Sequence, residues 1–257
     1  MTVYKAVRAL ERGLTILEAV NEKDGMRTQE VADYCGLSRP TVFRLLETLE
    51  SQGFVQQSKS DGAWHPTLRC NLLSCGYLDK AWVGQLAMPE MVRLGSQILW
   101  PIDLVTLAED SMQVRQSTHK FSPFSFDVSM VGKKIPLLLT AGGRAYFSYC
   151  PEEEREEILD ILRRTDLPEH NLAHDPRFLT KIIELTRERG YGFRAEEFRP
   201  KTVSISMPIM KHDRPVACLT ISALKSALSL EELARKFSRK LRHTCDRIEE
   251  MIAKYPD

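Results

Sequence analysis

Hydrophobic residues recur at helical spacing in two short, neighbouring segments near the N-terminus. In the first, Val31 and Ala32 form the apolar side, and Thr28 stands where an N-cap is expected. In the second, apolar residues follow the i, i+3, i+4, i+7 spacing of a buried helical face at Val42, Leu45, Leu46 and Leu49. Gly36 lies between the segments, where a left-handed residue ends a helix. The pattern therefore predicts two helices around a tight turn.

The residues that follow predict a small β-hairpin beside these helices. Ser38 is expected to cap the second helix, Pro40 fits its first turn, and Gly53 is expected to end it. Residues 54–58 and 63–65 predict two strands joined by a Lys-Ser-Asp-Gly turn. Two helices and a hairpin of this kind form a winged helix-turn-helix, a motif that binds DNA.

The exposed N-terminal end of the second helix is the predicted DNA-reading surface, because that end usually meets base edges in the major groove. The face opposite the buried one carries Arg44, and the tip of the hairpin carries Lys59, placed near phosphate. The predicted DNA contacts are Thr28, Ser38, Arg39, Pro40, Thr41, Phe43, Arg44 and Lys59. An ordinary helical bundle also contains amphipathic helix pairs with a glycine turn, so that alternative stays open.

Periodicity outside this motif predicts a mixture of helices and strands. Residues 5–21 predict an amphipathic helix whose buried side holds Leu10, Leu14, Leu17 and Val20. A connecting helix is predicted at 68–76, and a second helical stretch at 78–99 with a kink at Pro89. Strands are predicted at 103–108, 113–117, 124–128, 203–210 and 216–223, and helices at 141–150, 152–163, 176–190 and 229–254. Periodicity alone thus predicts an α+β protein.

Length and charge fit two domains. The chain has 257 residues, 43% hydrophobic and 28% charged, with a net charge of +1. We place the domains at residues 1–67 and 78–257, with a linker helix at 68–77. Residues 1–77 contain nine Lys and Arg against nine Asp and Glu, so attraction to phosphate must come from the distribution of charge.

Cysteine usage and the N-terminal sequence predict a cytoplasmic protein. The six cysteines show no Cys-x-x-Cys spacing and are expected to be buried thiols in a reducing compartment. The N-terminus has no apolar signal segment, and no apolar run of 18 residues occurs later. Dinucleotide, P-loop, nucleophile-elbow and zinc-protease motifs are all missing from the sequence, so no cofactor, catalytic residue or metal site is predicted.

Two groups of motifs resemble the IclR family of bacterial transcription regulators. The first lies at residues 9–17, 36–38, 44–46 and 49–55, within the predicted DNA-binding domain. The second lies at residues 131–132, 136–137, 140–146 and 190–224. Gly190, Glu197 and the triplet 204–206 meet the family signature, whereas Arg194, Met210 and Lys211 depart from it, Arg194 standing where the family usually has Asp or Ser. The resemblance implies a GAF-like, effector-binding C-terminal domain.

The start of the helix predicted at 141–150 is the strongest candidate for a ligand site. Two glycines, Gly142 and Gly143, open this helix, and the first N–H groups of a helix have no internal acceptor, so an anion can approach them. The predicted contacts here are Thr140, Ala141, Gly142 and Gly143. The alternative is that the glycines only allow tight packing of the helix on the sheet.

Four hydroxyl residues alternate with apolar residues on two predicted strands, which places the hydroxyls on one face. They are Ser204, Ser206, Thr220 and Ser222. The resemblance favours a cavity at this face, in which the hydroxyls would bind a carboxylate of the effector. The effector's apolar body is then expected against Leu104, Phe126 and Leu137. Residues 115–126, with 130–132, are similar to the branch of the family that controls catabolism of aromatic acids. This similarity implies that the effector is an aromatic or other small organic acid. The alternative is that these residues form a hairpin whose phenylalanines belong to the core.

The predicted function is a sequence-specific transcription regulator that acts as a homodimer or homotetramer on a pseudo-palindromic operator. The first helix, with Tyr4 and Val7 before its core face, and the helix at 78–99 are the expected dimer contacts. One alternative is a small-molecule enzyme with an accessory DNA-binding domain, but the sequence offers no nucleophile paired with a base. Another is an interaction module whose winged helix binds protein. His119 is expected to be structural, and His170, His174 and Asp175 lack the spacing of metal ligands.

Overall fold

The computed structural model describes residues 6–23, 25–67, 69–70, 82–127, 130–165 and 167–254. The chain divides into two compact units, residues 1–78 and 79–257. The expected dimer contact Tyr4 and most of the predicted linker helix at 68–77 lie outside the described residues.

The N-terminal unit is a winged helix-turn-helix, as predicted. Its helices are α1 (Arg8–Glu22), α2 (Thr28–Cys35) and α3 (Arg39–Ser51), and its wing is the antiparallel pair β1 (Val55–Gln57) and β2 (Trp64–Pro66). Trp64 is 1% exposed and packs with Ile16, Val31 and Leu46 in a single core. The wing is thus anchored to the helices by a buried aromatic side chain.

The ends of α2 and α3 follow the predicted turn chemistry, except at Thr28 and Ser38. Ser38 holds the N-cap position of α3, but its side chain makes no capping hydrogen bond. Gly36 takes the left-handed conformation with φ +62°, and Pro40 lies in the first turn of α3. The prediction that Thr28 caps α2 is wrong, because Thr28 is the first residue of the helix itself. Its hydroxyl accepts a hydrogen bond of 3.1 Å from Trp64 Nε1. A buried indole N–H needs an acceptor, and this need holds Thr28 in the core.

The buried side of α1 also differs from the prediction. Its buried residues are Ile16, Ala19 and Val20, whereas Leu10 is 61% exposed and Leu14 is 53% exposed. The helix therefore buries only its C-terminal half within its own unit. The first half carries an apolar stripe on its surface.

The C-terminal unit is built on one antiparallel sheet, which confirms the α+β class. The strands are β3 (Ile102–Ala108), β4 (Ser111–Ser117), β5 (Lys134–Pro136), β6 (Gly192–Arg194), β7 (Thr202–Lys211) and β8 (Arg214–Leu224). Their order across the sheet is β5-β4-β3-β8-β7-β6. None of the helices in the described part of the chain is long and apolar enough to cross a membrane.

Helices cover both faces of this sheet. They are α4 (Met88–Ile98), α5 (Ala141–Tyr149), α6 (Glu152–Arg164), α7 (Pro176–Arg189) and α8 (Leu230–Ile252). A π-helical turn, Val83–Ala87, leads into α4, and a 3-10 turn, Pro168–His174, precedes α7. One core lies between the sheet and α4 and α8, and a second core lies between the opposite face and α5, α6 and α7. Alternation along β7 and β8 places their apolar residues in the first core, and Cys218 of β8 belongs to the second.

Three local predictions for this unit need correction. The strand predicted at 124–128 is wrong over 124–127, where the chain forms no strand, and Val128 lies outside the described residues. Its aromatics contact neighbouring rings instead: the ring centroids of Phe124 and Trp100 lie 4.9 Å apart with a tilt of 39°, and Phe126 meets His119 edge-on. Strand β6 was not predicted, since three residues are too few to show a period of two. The irregularity expected at Pro89 lies one turn earlier, in the π-helical turn, and Pro89 falls in the first turn of α4.

Three glycines allow α5 to pack unusually close to its neighbours. A Cβ atom on Gly142 would lie 2.7 Å from Val105 Cγ2. On Gly143 it would overlap the Leu137 carbonyl, and on Gly192 it would overlap the Ala141 carbonyl. Side-chain neighbours can shift, but backbone neighbours cannot, so Gly143 and Gly192 are required by packing.

We therefore expect Gly143→Ala to lower the free energy of unfolding by about 3 kcal/mol or more, because the added methyl group collides with backbone. Gly84→Ala is the matched control, since a Cβ there meets nothing within 4 Å. Denaturant unfolding of both variants checks this prediction. If Gly143→Ala is as stable as the control, the close packing of α5 is incorrect.

Candidate nucleic-acid interface and ligand cavity

The N-terminal end of α3 presents most of the predicted DNA contacts at the surface. Arg39, Pro40, Phe43 and Arg44 are exposed, and Thr41 is half-buried. The exposed Ser38 hydroxyl lies 2.8 Å from that of Thr41. Thr28 is buried under Trp64 and is not part of this surface.

Two arginines of α1 join this surface, and sequence reasoning missed them. Arg8 and Arg12 line a groove together with Arg44 of α3. The groove is completed by Ala9, Pro40, Thr41, Leu45 and Thr48. The available signal was the i, i+4 spacing of Arg8 and Arg12, which places both on one helix face. The neutral N-terminal unit thus concentrates three positive charges beside the reading helix.

The wing holds Lys59 exposed in its turn, as predicted. Arg27 Nε donates to the Asp61 carbonyl at 3.0 Å, and Gln57 Nε2 donates to the Gly62 carbonyl at 3.0 Å. These bonds tie the turn to the start of α2 and to β1. Lys59 is therefore carried on a fixed hairpin.

The C-terminal unit contains a small cavity between the sheet and the N-terminus of α5. Its polar lining is Asp103, His119, Thr140, Arg194, Arg199, Thr202, Ser204, Thr220 and Ser222. Its remaining lining is Val105, Phe126, Met130, Ile135, Ala141, Gly142 and Phe198. The cavity measures about 40 Å³, the space of about three water molecules. An aromatic ring would enter only if lining side chains moved.

The structure brings most of the predicted ligand residues together here. Thr140, Ala141, Gly142, Ser204, Thr220 and Ser222 all line the cavity. Ser206 lies directly behind, with its hydroxyl 2.8 Å from that of Thr220. The first-turn N–H groups of Ala141 and Gly142 have no acceptor within the helix, so they suit an anion.

Gly143 and two predicted apolar contacts lie elsewhere. The N–H of Gly143 donates to Thr140 Oγ1 at 3.2 Å, and the residue does not line the cavity. At Gly143 the alternative of tight packing is therefore the one that the structure favours. Leu104 belongs to the core on the opposite face of the sheet, and Leu137 packs beside Gly143. Of the three apolar contacts predicted for the effector, only Phe126 lines the cavity.

Arg194 lines the cavity, although the sequence indicated it only as a residue that departs from the family signature. Its guanidinium donates to the hydroxyls of Thr202 and Ser204 at 2.7 and 2.8 Å. It also donates to the carbonyls of Phe198, Arg199 and Thr202. Burial lowers the pKa of Arg194 to about 10. The guanidinium remains a cation near neutral pH and fastens the loop 195–201 to β7.

Asp103 and His119 form a second buried polar group at the cavity wall. His119 Nε2 lies 3.8 Å from Asp103 Oδ2, and His119 Nδ1 lies 2.8 Å from Ser125 Oγ. Burial raises the pKa of Asp103, although the charge of His119 and a bond from Ser117 oppose the shift. Burial lowers the pKa of His119, which favours the neutral imidazole. His119 is thus held by hydrogen bonding, as expected.

Arg144 fixes the loop that closes the cavity. This residue is 1% exposed, and it donates to the carbonyls of Leu138 and Phe193 and to Glu197 Oε1 at 2.9 Å. Burial raises the pKa of Glu197, but backbone N–H bonds and Arg144 outweigh it and hold the value at about 2. The signature residue Glu197 is therefore an ionised structural partner of α5.

The histidines of the 168–175 segment have local roles. His170 Nδ1 lies 2.7 Å from Thr165 Oγ1, and Asp175 caps α7 by accepting from the N–H groups of Arg177 and Phe178. In the described ranges, His, Cys, Asp and Glu form no group of three or more that could hold a metal ion. These residues therefore offer no candidate metal centre.

Comparison with known families covers both units. Residues 9–59 match the IclR helix-turn-helix domain, and residues 75–250 match the C-terminal domain of bacterial IclR transcriptional regulators. The chain belongs to the IclR family. The chain is a DNA-binding transcription regulator, and the relatives that it matches over most of its length are transcription regulators too. The enzyme alternative is therefore rejected.

Individual relatives agree with this assignment. The regulator is 24% identical over 233 residues to the HTH-type transcriptional regulator XynR of Escherichia coli K12, covering 89% of this chain and 90% of XynR. Its fold matches the crystal structure of Thermotoga maritima IclR with a TM-score of 0.69 at 21% identity, covering 96% and 99% of the two chains. It also matches an IclR homologue from Microbacterium hydrocarbonoxydans complexed with 4-hydroxybenzoate, with a TM-score of 0.66 at 19% identity and coverage of 94% and 98%.

Proposed function

We propose that this regulator reads its operator through the N-terminal end of α3. The observation that carries the proposal is the convergence of Arg8, Arg12 and Arg44 on one groove of an otherwise neutral unit. Arg44 then contacts a base edge, while Arg8 and Arg12 contact phosphates beside it. Lys59, exposed in the wing, contacts phosphate on the other side of the helix.

Operator binding separates these roles. We expect Arg44→Ala to cost about 1–3 kcal/mol on the operator and to relax sequence preference, because a base contact is lost. Lys59→Ala should weaken operator and random DNA alike and reduce the salt slope by about one unit. Arg164→Ala, at an exposed position on α6, is the control. Mobility-shift titrations at several salt concentrations provide the measurement, and an equal loss on both DNAs for Arg44→Ala would contradict the assignment.

We further propose that the regulator binds a pseudo-palindromic operator as a homodimer, or as a homotetramer built from such dimers. A single neutral unit makes few phosphate contacts, whereas two half-sites about one helical turn apart add their free energies. The surface stripe of α1 supports a second copy as the occupant: Leu10 and Leu14 are exposed four residues apart, as in a helix–helix seam, and Val7, the residue before the helix, is also exposed. Val92 of α4 is 45% exposed and is a second proposed contact.

Introducing charge into the stripe tests the dimer. Leu14→Glu should shift the protein toward the monomer and weaken operator binding, because a buried carboxylate is costly in a helix–helix seam. Leu167→Glu places the same change at another exposed leucine and should leave the mass unchanged. Sedimentation or light scattering decides between these outcomes. A wild-type monomer with full operator affinity would overturn the proposal.

The cavity at the N-terminus of α5 is the proposed effector site, and a small organic acid is the proposed effector. The N–H groups of Ala141 and Gly142 and the cation Arg194 provide a positive environment for a carboxylate. An aromatic acid is one candidate, because Phe126 and Phe198 line the cavity and a structural neighbour was crystallised with 4-hydroxybenzoate. The resemblance to regulators of aromatic-acid catabolism supports a catabolic operon as the target.

Calorimetry on the full chain tests the effector class. Carboxylic acids such as propionate and benzoate should bind at least tenfold more tightly than their amides, a factor worth about 1.4 kcal/mol. Gly142→Ala narrows the cavity beside Val105 and should weaken binding tenfold or more, whereas Gly84→Ala should not. Melting curves establish that both variants fold. If no acid binds, or if acids bind Gly142→Ala as well as the wild type, the effector site lies elsewhere.

A further inference from the structure

A row of polar side chains crosses the sheet beneath the cavity. Strand register places Ser117 opposite Asp103, Asp103 opposite Thr220, and Thr220 opposite Ser206. The row therefore spans four neighbouring strands, on the face that the N-terminus of α5 covers. Asp103 and Thr220 line the cavity side by side.

Hydrogen bonding within the row fixes which atoms can still donate. A hydroxyl has one proton, and Ser206 Oγ donates its proton to the Leu219 carbonyl at 3.1 Å. The 2.8 Å contact between the hydroxyls of Ser206 and Thr220 must then use the proton of Thr220. Thr220 consequently presents only lone pairs to the cavity.

Asp103 adds a second acceptor beside Thr220. Its side chain is buried, and Oδ1 has no hydrogen-bond partner among the residues that the structure describes. Leaving a buried carboxylate oxygen unpaired is costly, so this atom favours a donor. The cavity floor formed by Asp103 and Thr220 thus repels a carboxylate and attracts an O–H group.

The cavity also holds hydrogen-bond donors close to these acceptors. They are the first N–H groups of α5, at Ala141 and Gly142, and a Cβ atom on Gly142 would lie 3.2 Å from Thr220 Oγ1. Arg194 adds positive charge to the lining, while its terminal N–H groups already donate to carbonyls and hydroxyls of the protein. An effector that satisfies both the donors and the acceptors carries a carboxylate for the first and a hydroxyl group for the second. An acid without a hydroxyl group satisfies only the donors.

We propose that the effector is a small hydroxy acid and that Asp103 is the residue that selects it, by accepting a hydrogen bond from the effector's hydroxyl group together with Thr220. This inference rests on the proposed function, because it concerns the same cavity. A site built around a hydrogen bond to a hydroxyl group rejects the analogue that lacks it, since the buried acceptors are then left unpaired. Burial raises the pKa of Asp103, and a donor at Oδ1 stabilises the ionised form.

Matched pairs of acids test the selection by calorimetry on the full chain. The pairs are lactate with propionate, 3-hydroxybutyrate with butyrate, and mandelate with phenylacetate. In at least one pair the hydroxy acid should bind tenfold or more tightly than its partner. If acids bind but no pair shows this preference, the inference is overturned and the proposed function stands. If no acid in any pair binds, both fail.

Two variants then locate the selecting groups. Asp103→Ala and Thr220→Val each remove an acceptor, and each should reduce the preference of the selected pair to about threefold or less. Asp110→Ala, in the turn between β3 and β4, and Thr106→Val, in β3 outside the cavity, are the matched controls and should keep it. Melting curves check folding, and Thr220→Val, which preserves side-chain shape, decides the matter if Asp103→Ala does not fold. A preference that survives in the folded variants would show that another group reads the hydroxyl.

Discussion

The close approach of α5 to the sheet is the constraint on which the ligand cavity depends. Gly142, Gly143 and Gly192 remove the side chains that would hold the helix away, and two of them face backbone that cannot move. The helix N-terminus consequently lies directly over the polar row of β3, β8 and β7. A cavity of about 40 Å³ is what remains between them. The small size of the cavity and its mixed polarity therefore have one cause: the N-terminus of α5, which carries glycines, packs directly on the polar row of the sheet.

Buried polar groups around this cavity are expensive for the fold. Arg144 and Arg194 bury cations, and Asp103 buries a carboxylate with one oxygen unpaired in the described structure. The two arginines are satisfied by carbonyls, hydroxyls and Glu197, so they hold the loop 195–201 in place. Asp103 is the exception within this set. When one buried polar atom lacks a hydrogen-bond partner and its neighbours do not, that atom is expected to contact a ligand.

The two units use charge differently. The N-terminal unit is neutral in total but places Arg8, Arg12 and Arg44 on one groove, which suits a phosphate backbone that must be approached locally. The C-terminal unit buries the charged side chains Asp103 and Arg194 at its cavity, where they would act on a small ligand over short distances. An effector can change operator affinity only if it binds one conformation of the protein better than another. Selection at Asp103 would thus set which molecule supplies that difference.

The sequence by itself determined the elements with strong periodicity or clear end signals: the winged helix-turn-helix, the helices α5 to α8, and the long strands β7 and β8 with their aligned hydroxyls. It also indicated the family and seven of the sixteen residues that line the cavity. Only the tertiary structure decided which apolar faces are covered, as Leu10 and Leu14 show, because their exposure depends on neighbours distant in sequence. The tertiary structure also showed that Gly142 lines the cavity whereas Gly143 does not, and that the Thr28 hydroxyl accepts a hydrogen bond from Trp64. It brought Arg194 and Asp103 to one cavity. Periodicity reports the face on which a residue lies, whereas hydrogen-bond partners and available space are set by chain segments that meet only on folding.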